Sequence, residues 1–241
     1  MQLRIAPDVL ALFPEALIGV VRVRGCDNAR GGAESAAQLR QAEATARAVF
    51  ASGAGATLAE EPRIACWREA YRRFGASPKK SPSSIENLLR RVARGDALPP
   101  INPLVDLYNA VSLARVLPAG GEDLAQVRGD VVLCRAGDAE PPVKLLGEAE
   151  ARPPHPGEVI YRDDLSAICR RWNWKEADRT KLTAATRDAV LVLEALPPTR
   201  RAELEQALAD LALRVTRCCG GQARTTVLDA ATREVDLQAA S

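Results

Sequence analysis

Histidine is almost missing from this sequence: His155 is the only one, and it stands among Pro153, Pro154 and Pro156 in a stretch that reads as a loop. An exposed loop position does little to fix a tautomer or tune a pKa, so histidine-based acid–base or nucleophilic catalysis is hard to build here. A zinc hydrolase fails on the same scarcity. Cys26, Cys66, Cys134, Cys169, Cys218 and Cys219 show no paired ligand spacing, and one histidine does not complete a set. No glycine-rich phosphate loop or dinucleotide fingerprint is present, so neither a cofactor nor a metal is expected. Long apolar runs are also lacking, because Arg4, Asp8, Glu15, Arg22 and Arg24 interrupt the first thirty residues. That excludes the core of a signal peptide or a membrane helix and points to a cytoplasmic protein with reduced thiols.

What is there describes a globular chain. The 241 residues are 47% apolar and 27% charged, enough to bury one continuous core, and the expectation is a single α+β domain. Its core covers roughly residues 16–220, with a C-terminal extension over 221–241; a monomer is one option and the oligomeric state stays open. The net charge of +2 predicts no nucleic-acid partner by itself, so such a case rests on where the charge lies. Only five of the 33 basic residues are lysines; the arginines suit phosphate and carboxylate recognition, although genomic base composition produces the same bias.

Along the chain, residues 16–26 read as a buried β-branched strand closed by Gly25, and 34–50 as an alanine-rich helix ended by Gly53 and Gly55. Pro62 opens a helix whose apolar stripe is Ile64, Trp67, Ala70 and Tyr71 and whose other face carries Arg68, Arg72 and Arg73. Two prolines make 74–86 an ordered loop, and Ser83 with Glu86 forms a capping box for a helix through Ile85, Leu88, Leu89 and Val92. Asn102 and Pro103 start another helix, which carries Asp106 and Asn109. Short strands follow at 131–135, 143–146, 158–162 and 167–172, with Asp163 and Asp164 in the last turn. A central strand at 189–196 precedes a helix marked by Leu204, Leu208, Leu211 and Val215; the last twenty residues add an edge strand at 225–228 or are partly mobile.

The segment 167–180 is unusually polar for a strand, with Arg170, Arg171, Trp172, Asn173, Trp174, Glu176 and Asp178 in a short span. Tryptophans stack on nucleobases, arginines hold phosphate, and an amide or carboxylate bonds an amino group or ribose hydroxyl. The plainer alternative is that Trp172 and Trp174 are core and the charges merely solvated.

Three segments in order, FGASPKKSPSSIENL (74–88), INPLVDLYNAVSL (101–113) and RRWNW (170–174), resemble the freestanding B3/B4-domain family. That family is similar to the editing domain of the bacterial phenylalanyl-tRNA synthetase β subunit, and the likeness spans roughly residues 18–196. It implies an enzyme that hydrolyses the ester of mischarged tRNA in trans, and it carries over Asn109 as a pocket residue. The chain departs from the synthetase at LPAGG (117–121), where the latter has a histidine, and at the bulkier RRWNW.

An aminoacyl ester is already activated, so a positioned water assisted by a ribose hydroxyl suffices. On this reading Asn109, Asn173, Arg170 and Arg171 are catalytic, and Asp106, Trp172, Trp174, Glu176, Asp178 and Ser81 bind the amino acid. Arg72, Arg73, Lys79, Lys80, Arg90 and Arg91 contact the tRNA backbone, in salt-sensitive contacts with little sequence information. The carboxylates favour a basic analogue, canavanine on arginine tRNA first. Two rivals stand beside it: a noncatalytic tRNA- or RNA-binding module, and a thiol hydrolase built on Cys169.

Overall fold

The computed structural model describes residues 1–51 and 58–238. Its organising element is a short sheet with two buried faces. β2 (Leu17–Arg24) and β10 (Ala189–Ala195) pair antiparallel at its centre, flanked by β11 (Gln222–Leu228) and β3 (Ala119–Asp123), in the order β11-β2-β10-β3. Strand alternation splits β10 cleanly. Leu191, Leu193 and Ala195 face one way, into a core shared with helix α5 (Pro103–Arg115) and helix α6 (Arg201–Cys219). Val190, Val192 and Glu194 face the other way, toward a second sheet.

That second sheet is mixed, in the order β12-β1-β4-β7-β8-β9. It comprises β1 (Gln2–Ile5), β4 (Val131–Arg135), β7 (Val159–Arg162), β8 (Ala167–Arg170), β9 (Lys175–Glu176) and β12 (Glu234–Asp236), with β1 and β4 parallel and the other pairs antiparallel. A two-stranded ribbon of β5 (Val143–Lys144) and β6 (Ala151–Arg152) lies beside it. Helix α1 (Pro7–Leu12) follows β1, and α2 (Gly32–Phe50), α3 (Pro62–Arg73) and α4 (Ser84–Ala93) share a third core with α5 through Leu39, Ile64, Ile85 and Leu89. The architecture is the α+β mixture expected, with six helices among the described residues.

Local signals place the helices closely. Ser83 caps α4 by accepting from the Glu86 amide at 3.4 Å, and Asn102 caps α5 by accepting from the Val105 amide at 3.2 Å. Gly53 and Gly55, expected to end α2, lie outside the described residues. The strand expected over 167–172 stops at Arg170. Arg171 and Trp172 follow with φ of 49° and 62°, left-handed values that non-glycine residues adopt only when their surroundings hold them there. The holding contacts are visible: Glu158 grips Arg170 through two bonds of 2.8 and 2.9 Å, and Trp172 wedges between Phe13 and Trp67 with ring centroids 4.9 and 5.1 Å away. Strands from both ends of the described chain are built into the sheets, since β1 and β12 pair with each other and β11 pairs along β2.

Candidate functional site

Between the two sheets lies a cavity of about 300 Å³, its far walls closed by α4 and α5. Its chemistry follows from strand alternation. Glu194 enters from β10 beside Val190 and Val192; Glu122 enters from β3 two residues after Gly120; Glu176 enters from β9. Tyr161 and Cys169 come from β7 and β8, and α5 contributes Tyr108 and Asn109. The turn after β8 adds Asn173 and Trp174.

A hydrogen-bonded chain runs along one wall. The Tyr71 hydroxyl donates to Asn173 Oδ1 at 2.8 Å, Asn173 Nδ2 donates to Glu194 Oε2 at 2.7 Å, and the Tyr161 hydroxyl donates to Glu194 Oε1 at 2.6 Å. On the opposite side, the Gly121 amide donates to Glu176 Oε1 at 3.0 Å. A Cβ at Gly120 would stand 2.7 Å from that same oxygen, so the glycine makes room for the carboxylate. Burial pushes the Glu194 carboxyl up to about 7, against the pull of its hydrogen bonds. Burial and mutual repulsion push Glu122 well above the usual carboxylate range, and burial raises Glu176. The Cys169 thiol is raised too, by burial and then by Glu176, Glu122 and Glu194. A thiolate there is disfavoured, which argues against the thiol-hydrolase rival.

Of the residues singled out in the sequence, Asn109, Asn173, Trp174 and Glu176 line the cavity. Trp172 touches it as well, but its side chain is fully buried in the aromatic core. Arg170 and Arg171 do not line it. Arg170 is spent on Glu158, while Arg171 lies 4.3 Å over the Trp174 ring and donates to the Ser81 hydroxyl. Asp106 is elsewhere, a buried carboxylate accepting from the Ile101 amide at 2.9 Å and the Ser35 hydroxyl at 3.3 Å. Asp178 pairs with Lys181 at 2.7 Å outside the cavity. His155 is exposed and also outside it.

The basic residues differ in how free they are. Lys79 and Lys80 are exposed in the turn that leads to Ser81. Arg72 pairs with Glu69 at 3.0 Å, Arg73 donates to the Leu12 carbonyl, Arg90 is held by Glu86 at 2.5 Å, and Arg91 reaches the Ala97 carbonyl at 3.4 Å.

Glu122 and Glu194 escaped the sequence reading, although each left a trace. Glu194 is a lone carboxylate inside an apolar strand, in register with Val190 and Val192; a charge on a buried strand face marks either an error of register or a site. Among the described residues, no group of three or more His, Cys, Asp or Glu side chains is arranged to hold a metal ion, and no helix is long and apolar enough to cross a membrane.

Residues 66–236 match the family model described as the B3/4 domain. The chain is also similar in structure to an N-terminal fragment of the phenylalanyl-tRNA synthetase beta-subunit from Pyrococcus horikoshii, with a TM-score of 0.44 and 9% identity. That alignment covers 92% of this chain and 50% of the other, so the chain spans half the length of that fragment. No curated protein matches it in sequence.

Proposed function

Since the chain belongs to the B3/4 domain family, we propose that its cavity receives the aminoacyl end of a mischarged tRNA and that the protein hydrolyses the ester there. One observation carries this reading: two amides, Asn109 and Asn173, and three glutamates converge on a cavity of about 300 Å³, a size that suits one amino-acid side chain with its ester. In the proposed step, water attacks the ester carbonyl and the bond to the ribose oxygen breaks. The oxygen leaves as a hydroxyl and the amino acid as its carboxylic acid. A ribose hydroxyl orients the water, and the Asn109 amide donates to the developing oxyanion. A carboxylate whose pKa lies near neutrality, as at Glu194, suits temporary custody of the proton. Asn173, fixed by Tyr71 and Glu194, orients the ester. The acidic lining favours a basic amino acid, and arginine tRNA charged with canavanine is the first candidate.

The test is release of labelled amino acid from a panel of mischarged tRNAs, with correctly charged arginine and phenylalanine tRNAs as controls. Selective release of one noncognate amino acid, abolished at least about a hundredfold by Asn109→Ala with tRNA binding retained, is the expected result. Binding without release from any member of the panel would establish the noncatalytic RNA-binding module in its place.

A further inference from the structure

Glu122 is a buried carboxylate on the cavity wall. It is only 7% accessible, it lines the cavity, and its Oε2 has no hydrogen-bond partner. The buried Thr180 hydroxyl lies close enough to favour its ionised form but makes no well-aligned hydrogen bond to it. A buried carboxylate oxygen with only the weak pull of Thr180 is under-satisfied, so the position favours a stronger donor brought in by a ligand.

The cations nearby are committed elsewhere. Lys175 lines the cavity but pairs with Glu148 at 2.9 Å. Arg179, which acts on Glu122 from a distance, is bound to Asp163 at 2.8 Å and to the Gln126 carbonyl at 2.8 Å. Lys181, whose backbone bridges to that of Glu122, pairs with Asp178 at 2.7 Å. Glu176 from β9 lines the same cavity and repels Glu122, Asp163 repels it as well, and Glu194, Tyr108, Tyr161 and Cys169 share the lining. Two buried carboxylates in one site do not both ionise without a counter-charge, and an empty pair therefore retains a proton.

We infer that Glu122 and Glu176 form a recognition wall for a positively charged ligand side chain, and that the arriving cation displaces a proton the empty pair shares. The inference rests on reading this cavity as the amino-acid pocket. The ligand class is a guanidinium or ammonium on a short aliphatic stem. Leu88, Leu146 and Val192 line the cavity for the stem, and Glu122 Oε2 is the acceptor that takes the head. Glu122 is thus a specificity-determining residue, and recognition strengthens as pH rises.

The experiment is calorimetric titration of the full chain with L-argininamide and with citrullinamide, its uncharged near-isostere, at pH 6 and pH 8. Both amides carry the same α-amine, so the ratio of their affinities isolates the side-chain charge. Argininamide is expected to bind at least about tenfold tighter than citrullinamide at pH 8, and that preference is expected to shrink several-fold at pH 6. Glu122→Gln is expected to remove both the preference and its pH dependence; Glu176→Gln provides the second variant if the first does not fold. Equal affinity for the two amides at pH 8, or a preference that does not change with pH, overturns the inference. Deacylation of tRNA without any argininamide preference would sink this inference alone, whereas the preference without deacylation would sink the proposed enzymatic function alone.

Discussion

Tyr161 and Asn173 both donate to the Glu194 carboxylate, which favours its ionised form, yet burial outweighs them and holds its pKa near 7. The unfolded chain releases that proton near the ordinary glutamate value of 4.5, so between there and 7 the native state binds more protons than the unfolded state. The stability associated with this group is therefore complete at acidic pH and is lost as pH rises through 7, by up to about 3 kcal/mol. Glu122 and Glu176, raised in the same direction, add to the slope. Urea denaturation should show a higher midpoint at pH 5 than at pH 8, and Glu194→Gln should flatten the difference; an unchanged slope would mean that Glu194 does not hold the proton. Asp106 makes the opposite case. Its partners are the Ile101 amide and Ser35, so Asp106→Asn should cost about 1 kcal/mol of stability and leave the deacylation rate of the folded protein unchanged. A rate that fell with stability intact would return Asp106 to the site.

Strands β3 and β10 form the part of the cavity that depends most on backbone shape. The sequence of β3, Ala-Gly-Gly-Glu-Asp, has little β propensity of its own and does not read as a strand. It becomes one because β10 supplies a partner along five registered residues and because its glycines fit where side chains would not. Gly121→Ala brings a Cβ to 2.5 Å from Leu191 Cδ2 and 3.1 Å from the Val190 carbonyl, so about 1–3 kcal/mol of destabilisation is expected in chemical denaturation. Gly120→Ala clashes with the Glu176 carboxylate and otherwise makes an ordinary contact with Val192, and it should lower turnover about tenfold while changing stability less. Helices α3, α4 and α5 were legible because their starts are local: Pro62, Ser83 and Asn102 act on residues within one turn. Asn109 and Glu176 were reachable by resemblance and by local polarity. The acidic wall was not, because Glu122 and Glu194 lie 72 positions apart and meet only when the sheet forms. The turn at Arg171 and Trp172 was hidden for a related reason, since nothing local to RRWNW announces left-handed backbone and its holders, Glu158, Phe13 and Trp67, are remote.

On the scale of the whole molecule, the small net charge of +2 means that any tRNA contact depends on a few unengaged cations rather than on a general field. Lys79 and Lys80 are the exposed pair next to Ser81, which accepts from Arg171, whereas Arg72 and Arg90 already have carboxylate partners. Replacing both lysines with alanine should reduce the slope of log affinity against log salt by up to about 2, measured by filter binding across a salt series. The same change at Arg90 should weaken the α4 anchor more than it changes the slope. The two ends of the described chain belong to the same unit, because β12 closes against β1 and the Leu237 amide donates to the Met1 carbonyl at 2.9 Å. One arrangement has an optical consequence. The chain has three tryptophans: Trp172 and Trp174 border the cavity, and Trp67 stands 5.1 Å from Trp172. Intrinsic fluorescence excited at the indole band therefore originates almost entirely around the cavity, so a ligand entering there reports its own arrival as a change in emission, without a label.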